Sequence, residues 1–229
     1  MQKHIKKIAL SNTDGCMNHK TTNMLLTGFG PFLNYTYNPS GEIAKKLDGK
    51  TIMNTTIVGK ILLVEHKEVR KVLENYVEEY KPAFVVALGL AGGRGCISLE
   101  RIAINRYYFR NDKEEFDEPL YENGPSAYFS GLPLKEIKAS LQNHGIPAEY
   151  SFFPDTFVSN EVFYEVMRLS DKIGIRKAGF VHLPLTTKQV VTMEHVHYAT
   201  REKIPSMEES MLEKAVRIII QTTLNADSK

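Results

Sequence analysis

The amino-acid sequence predicts an α/β fold, namely a three-layer α/β/α sandwich around a mostly parallel, twisted central sheet. Short apolar runs alternate with longer amphipathic runs of helical period along the chain. The run at 82–89 (PAFVVALG) is apolar at nearly every position, which is typical of a strand that is covered on both faces. No internal repeat or low-complexity linker divides the chain. These observations together favour one sheet with helices on both sides.

The individual elements follow from the hydrophobic period and from their end signals. The first strand starts at Met24 (MLLTGFGPF) and is broken by glycine and proline. Asn38 is a good N-cap for a helix that runs to Leu47, and Asp48 with Gly49 closes that helix. The same criteria predict strands at 57–64, 82–89, 101–105, 149–153 and 177–183, and helices at 65–80, 134–144, 158–169 and 206–224.

The segment 106–131 is long, polar and interrupted, so we expect an irregular excursion from the sheet there. Sheets of the predicted type bind ligands at the carboxyl ends of their strands. The segments 89–105, 154–160 and 180–184 lie at or just after predicted strand ends. We therefore expect these three segments to converge on a ligand site.

The composition excludes several classes of protein. Apolar residues make up 42% and charged residues 24% of the 229 residues, as in ordinary globular proteins. The 29 basic residues are interspersed with 27 acidic ones, which predicts no surface for nucleic acid. No apolar run is long enough to cross a bilayer, so no membrane partner is expected. A small neutral or peptidic substrate fits better.

The cysteines and glycines argue against a bound cofactor. Cys16 and Cys96 are the two cysteines, and they show neither the spacing of a metal site nor that of a disulfide framework. A reducing, cytoplasmic location is therefore expected. Residues 1–23 begin basic but lack the apolar stretch of a signal peptide. The glycines at 92–93 match no nucleotide-binding motif, so we expect no cofactor and no metal.

Three polar residues in the converging segments are candidates for catalysis. Ser159, His182 and Glu100 are the nucleophile, base and orienting carboxylate that acyl transfer requires. Each also has a structural alternative that the residues alone leave open. Ser159 would serve as a helix N-cap, and His182 would be a buried histidine bonded to the backbone. Glu100 would form a surface ion pair with Arg101, worth less than about 1 kcal/mol.

An ordered set of motifs gives the chain a specific resemblance from Met24 onward. The motifs are TGFGPF (27–32), NPS (38–40), GLAGGR (89–94), ERIAIN (100–105), TFVSN (156–160), AGFVHLP (178–184) and PSM (205–207). In this order and spacing they resemble the pyroglutamyl peptidase I family. We therefore expect a single domain at 24–229. Residues 1–23 would be an extension, either a disordered segment or the product of a start codon placed too early.

The resemblance implies a function and a set of site residues. The family consists of cysteine peptidases that use a Cys-His-Glu triad, without a metal, to cut the amide after an N-terminal 5-oxoproline. It implies that Glu100 is the orienting acid, His182 is the base and Ser159 stands at the nucleophilic cysteine. It further implies dimers or tetramers. The residues that it assigns to the apolar pocket for the lactam ring are Phe29, Phe32, Phe157 and Val158, and those that it places near an oxyanion donor are Asn105 and Arg110.

A serine at the position of the family cysteine predicts weak or absent peptidase activity, because a hydroxyl is far less acidic than a thiol. Pro154 and Asp155 also stand where the family usually has Ala-Gly. Two alternatives remain open. The chain is either a catalytically silent relative that binds pyroglutamyl-type ligands or a protein partner, or a serine esterase on the same scaffold. Cys96 is disfavoured as a substitute nucleophile, because the base would have to relocate to reach it.

Overall fold

Strands and helices alternate along the residues that the computed structural model describes, which are 22–32, 35–111, 113–192 and 204–227. The strands are β1 (Thr22–Phe29), β2 (Thr51–Ile52), β3 (Thr55–Leu62), β4 (Phe84–Leu90), β5 (Ile97–Glu100), β6 (Ile102–Ile104), β7 (Tyr107–Arg110), β8 (Glu115–Glu118), β9 (Ala127–Phe129), β10 (Ala148–Ser151) and β11 (Lys177–Leu183). The helices are α1 (Pro39–Leu47), α2 (Glu68–Tyr80), α3 (Leu134–Asn143), α4 (Val158–Ile173), α5 (Thr187–Thr192) and α6 (Glu209–Asp227).

Seven of the strands form the central sheet in the order β10-β5-β11-β4-β1-β3-β2. The four strands β11, β4, β1 and β3 are parallel to their neighbours in this group. The edge strand β2 runs antiparallel to β3, and β5 runs antiparallel to β11, while β10 is parallel to β5. The predicted α/β fold with a mostly parallel sheet is confirmed.

Helices cover both faces of this sheet and enclose two apolar cores. On one face α1 and α3 contact α6, and their apolar residues pack on the sheet. On the other face α2 contacts α4 over a second core. The central strand β4 is buried at every residue, because both of its faces are covered. The continuous apolar run of the sequence follows from this double coverage.

Local signals explain where several helices begin and end. Asn38 accepts a hydrogen bond from the Ser40 amide at 3.2 Å and caps α1, as predicted. The helix α2 begins at Glu68, three residues after the predicted start, because Lys67 has a positive φ of 64° that an α-helix cannot contain. Gly174 ends α4 in the left-handed conformation.

The segment 106–131 is more ordered than the sequence predicts. It contains β7, β8 and β9, where an irregular excursion was expected. The strands β7 and β8 pair with each other as an antiparallel hairpin, and β9 pairs with β6, so both pairs stand apart from the central sheet. The predicted strand at 101–105 is therefore not a member of the central sheet. These strands have three or four residues each, which is too short for a periodicity to be recognised.

The start of the fold lies slightly before the predicted domain boundary. Thr22 and Asn23 pair with Thr55 and Thr56 in β3 and so belong to β1, although the boundary was predicted at Met24. The remainder of the predicted N-terminal extension lies outside the described residues. None of the helices within the described ranges is long and apolar enough to cross a membrane.

Candidate active site

Glu100 and His182 meet on one face of the central sheet. In the antiparallel ladder of β5 and β11, His182 lies opposite Ser98 and Val181 opposite Leu99. Glu100 is therefore the diagonal neighbour of His182 on the same face. The His182 Nδ1 lies 2.7 Å from Glu100 Oε1. Glu100 is fully buried and His182 is 4% exposed, so this pair is shielded from water.

Arg94 is a third member of this cluster, and the sequence did not predict its role. Its Nη1 donates to Glu100 Oε1 at 2.7 Å, and its Nη2 donates to the backbone oxygen of Phe153 at 3.0 Å. The guanidinium thereby connects the buried carboxylate to the segment that leads into α4. The only signal in the sequence was the position of Arg94 after two glycines in the GLAGGR turn.

The ionised carboxylate of Glu100 determines which nitrogen of the His182 imidazole carries the hydrogen. Burial raises the pKa of this carboxyl, but the hydrogen bond and charge of His182, with further hydrogen bonds from Ser151 and Arg94, outweigh it and lower the pKa below its usual value. Glu100 is therefore an acceptor, and the Nδ1–H of His182 donates to it. The Nε2 of a neutral imidazole is then left with a lone pair that accepts a proton.

The imidazole lies on the sheet face that α4 covers. Its ring meets the ring of Phe180 edge to face at 4.9 Å, and Phe180 packs in turn against Phe163 of α4 and Phe29 of β1. On the neighbouring strand, a Cβ at Gly89 would lie 3.0 Å from the His182 Nε2. A glycine is therefore required beside the imidazole for steric reasons.

Ser159 is the second residue of α4 and lines a small apolar pocket. The N-cap position belongs to Phe157, and no side chain caps this helix, so Ser159 is not the helix cap that the structural alternative predicted. The cavity volume of this pocket is about 30 Å³. Its lining residues are Phe29, Phe32, Val64, Leu90, Phe157, Val158 and Ser159. All four residues that were predicted for the substrate pocket thus share one recess with Ser159.

Comparisons with known proteins bear on this arrangement. The sequence profile of the family described as pyroglutamyl peptidase matches residues 22–226. The chain belongs to this family. Pyrrolidone-carboxylate peptidases of Bacillus thuringiensis subsp. konkukian and of Bacillus anthracis are both 38% identical over 210 residues, which cover 89% of this chain and 94% of each relative. The crystal structure of the pyrrolidone carboxyl peptidase of Pyrococcus furiosus and its Cys-free mutant matches with a TM-score of 0.84 and 36% identity, over 90% of this chain and 100% of that one.

Membership in the pyroglutamyl peptidase family makes the chain a peptidase-type hydrolase and explains the fold that it shares with these relatives.

The geometry also decides the structural alternatives that the sequence left open for His182 and Glu100. His182 is bonded to a carboxylate through Nδ1. Glu100 pairs with His182 and Arg94, whereas Arg101 lies over the rings of Tyr150 and Phe152.

The turn before α4 in this pyroglutamyl peptidase relative contains a residue in the left-handed conformation. Asp155 has a φ of 75°, which glycine adopts freely and which aspartate tolerates better than most residues. The Oδ1 of Asp155 accepts a hydrogen bond from the Thr156 amide at 2.7 Å. The side chain is exposed, while Pro154 is buried. Asp155 therefore has a conformational role at a position where the family usually has glycine.

The start of α4 is anchored and carries unpaired donors. Asn160 accepts from the Ile104 amide at 2.9 Å and donates to the backbone oxygens of Ile104 and Arg106, so it fixes the helix to β6. The first hydrogen bond of the helix goes from the Glu161 amide to Phe157. The backbone amides of the first turn of α4, including that of Ser159, precede this bond and have no carbonyl of an earlier helical turn to bond. They give this end of the helix a partial positive charge.

The two residues that the family resemblance placed near an oxyanion donor have other positions. Arg110 lies exposed at the end of β7, opposite Glu115 in the hairpin, and is not among the residues that line the pocket. The side-chain Nδ2 of Asn105 donates to the backbone oxygen of Tyr121 at 2.7 Å, and its Oδ1 accepts from the backbone amide of Tyr121 at 2.9 Å. Asn105 therefore holds a loop in place.

Cys96 differs from a reactive thiol. It precedes β5 and is half-buried. Burial raises the pKa of its thiol, and the negative charge of Glu149 raises it further, so little thiolate is present at neutral pH. Within the described ranges, no group of three or more histidine, cysteine, aspartate or glutamate residues is arranged to hold a metal ion.

Proposed function

We propose that this pyroglutamyl peptidase homologue cleaves the amide bond after an N-terminal 5-oxoproline, with Ser159 as the nucleophile in place of the family cysteine. The observation that carries this proposal is that Ser159 shares one apolar recess with Phe29, Phe32, Phe157 and Val158. The buried pair of Glu100 and His182 on the same side of the sheet supports it further.

The walls of the pocket suit a small, uncharged ring, because they are aromatic and aliphatic. The cavity volume of about 30 Å³ between them lies far below the usual range of drug-sized ligand sites, so the walls must move apart to admit a ring. A lactam ring buries its flat faces well against such walls. The charged side chain of glutamate or the polar side chain of glutamine would lose its hydration there without gaining a partner. The pocket therefore favours 5-oxoproline over these open-chain analogues.

In the proposed reaction the imidazole moves the proton. The Oγ of Ser159 forms a bond to the carbonyl carbon while its proton passes to the Nε2 of His182. His182 then gives this proton to the leaving amine as the C–N bond breaks. Water hydrolyses the resulting ester by the same route in reverse order. Glu100 remains ionised throughout and holds the Nδ1–H.

The first turn of α4 supplies the positive potential that the negative oxygen of the tetrahedral intermediate needs. Its amides point out of the helix end on which Ser159 lies. Backbone donors of this kind are fixed before the reaction and need no reorganisation. Arg110 is a second candidate donor, but its exposed position at the end of β7 gives this role less support.

We expect turnover to be slow. A thiolate forms in the ground state, whereas the Ser159 hydroxyl must lose its proton during the attack, which requires a closely aligned base. In a serine protease, loss of the nucleophile costs about 10⁶-fold in kcat, and a poorly aligned hydroxyl should cost less. The same reasoning keeps two other roles open for this site, namely a silent pocket that binds pyroglutamyl-type ligands and an esterase.

One set of measurements separates these roles. The purified protein is incubated with a pyroglutamyl amide that releases a fluorescent amine, beside the variants Ser159→Ala and His182→Ala. Release that is lost in both variants supports the proposal, and equal release in all three proteins rejects it. Calorimetric titration with 5-oxoproline then detects a binding-only role, and a panel of pyroglutamyl and simple acyl esters detects an esterase.

A further inference from the structure

A second histidine, His66, is held by charged groups from three directions. Its Nδ1 lies 2.9 Å from Glu161 Oε2 in α4, and its Nε2 lies 2.9 Å from Glu118 Oε1 in β8. Its ring stacks on Tyr107 of β7. His66 thus joins both strands of the β7–β8 hairpin to α4, although it belongs to the connection between β3 and α2.

The anchor of this arrangement is the fully buried carboxylate of Glu161. Besides His66, it accepts from the backbone amide of Lys67 at 3.0 Å and forms an ion pair with the Nε of Arg70 at 2.7 Å. The positive φ of Lys67 is a costly conformation for a residue with a long side chain. The contacts with Glu161 stabilise this turn and thereby fix the position of the imidazole.

The hairpin that His66 holds supports the pocket wall. The ring of Phe157, which lines the pocket, packs against Phe109 at 5.1 Å and against Tyr107 at 5.9 Å. Phe157 is also the N-cap residue of α4, two positions before Ser159. A displacement of β7 would therefore move both the pocket wall and the start of the helix that carries Ser159.

We propose that His66 is a positioning residue that ties the β7–β8 hairpin to α4 and so holds Phe157 against the pocket. This role deepens the proposed function and rests on it. The reason is the position of the imidazole, because each of its two nitrogens lies 2.9 Å from a carboxylate oxygen on a different element.

Charged groups of both signs surround His66. The pKa of the Glu118 carboxyl is lowered by hydrogen bonds from Lys67 and His66. Burial, followed by the charges of Glu161 and Glu118, raises the pKa of Tyr107 to about 12, so its ring stays neutral. The cations of Lys67 and Arg70 are already paired with the same carboxylates.

The test compares the wild-type protein with His66→Gln. Hydrogen exchange of the amides in 107–118 reports on the hairpin without any catalysis. Steady-state kinetics with a pyroglutamyl amide report on the pocket. The matched control is His144→Gln, because His144 lies exposed at the end of α3 and its imidazole bonds only the Ser140 carbonyl within the part of the chain that the structure describes.

In His66→Gln we expect faster hairpin exchange and about a tenfold higher KM than in the wild-type protein, with kcat little changed, since a hydrogen bond to a charged group is lost. Glu118→Gln should change hairpin exchange and KM in the same direction while leaving the buried anchor in place, and it remains informative if His66→Gln does not fold. His144→Gln should behave as the wild-type protein.

The inference is overturned if hairpin exchange is unchanged in both His66→Gln and Glu118→Gln. This outcome is independent of the proposed function. A protein without amidase activity whose hairpin exchange responds as expected rejects the proposed peptidase reaction and leaves the role of His66 standing.

Discussion

His182 and Glu100 are 82 residues apart in the sequence and are joined by a hydrogen bond of 2.7 Å between Nδ1 and Oε1. The same oxygen accepts from Arg94, while Oε2 has no partner among the described residues. Two donors, the Arg94 guanidinium and the His182 imidazole, therefore converge on one carboxylate oxygen. This arrangement keeps Glu100 ionised when His182 is neutral, which is the state in which the imidazole acts as a base.

Ser159→Cys should increase the rate of pyroglutamyl-amide hydrolysis by at least about 100-fold, because a thiol beside a histidine and a helix N-terminus ionises readily. The measurement is kcat/KM with a fluorogenic pyroglutamyl amide. Ser159→Ala, which keeps the pocket without an attacking group, is the control and should be inactive. A Cys variant that is no faster than the wild-type protein would show that the surrounding groups are not arranged for acyl transfer.

Arg94→Met should reduce kcat/KM by roughly tenfold, because the loss of one charged hydrogen bond loosens Glu100. Arg101→Met is the matched control, because Arg101 contacts the rings of Tyr150 and Phe152 instead of Glu100. Equal effects of both variants would contradict a specific role for Arg94.

Glu100→Gln should lower the free energy of unfolding by about 2–4 kcal/mol at neutral pH, because it removes the buried charge that pairs with the Arg94 guanidinium and accepts from His182. The pKa of Glu100 is lowered in the folded protein. Its ionised form therefore contributes stability that is complete above the unfolded-state pKa of about 4.3 and is lost as the pH falls through the lower folded-state value. Urea denaturation at a series of pH values should show the difference between wild-type and variant narrowing in acid. A constant difference would refute this assignment.

Asp155→Ala should destabilise the protein by about 1 kcal/mol relative to Asp155→Gly, because glycine adopts a positive φ without the steric penalty that a Cβ carries. Thermal or urea unfolding of the two variants measures this difference directly. Asp171→Ala, an exposed carboxylate in α4, controls for the loss of a negative charge. If the alanine and glycine variants are equally stable, the left-handed conformation is not what selects the residue at this position.

The parts of the fold that local signals encode could be predicted from the sequence. The helix α1 has Asn38 as its cap and Asp48 at its end, and both lie where the sequence placed them. The strand β5 was missed, because its four buried residues are placed by pairing with the distant strands β10 and β11 and not by a pattern of their own. Long-range pairing of this kind has no signature within a short window.

The candidate site was predicted through the family resemblance more than through the residues themselves. Glu100, Ser159 and His182 each had a plausible structural role in isolation, and only the ordered motifs connected them. The role of Arg94 was not predicted, because its contact with Glu100 depends on the path of the GLAGGR turn, which residue spacing does not reveal. The contact between His66 and Glu161 was not predicted, because it joins segments that are 95 residues apart.

The candidate site has two parts, namely the pair of Glu100 and His182 on the adjacent strands β5 and β11, and Ser159 with the recess at the start of α4. These two parts can change separately. The acid and the base are fixed by the ladder between adjacent strands, so insertions elsewhere leave them together, whereas a single inserted residue within β5 would turn Glu100 to the opposite face. Ser159, the proposed nucleophile, and Phe157 of the recess lie instead at the start of α4, in the connection between these two strands. A mutation or a grafted loop there can therefore exchange the residue at position 159 while the pair of Glu100 and His182 remains in place.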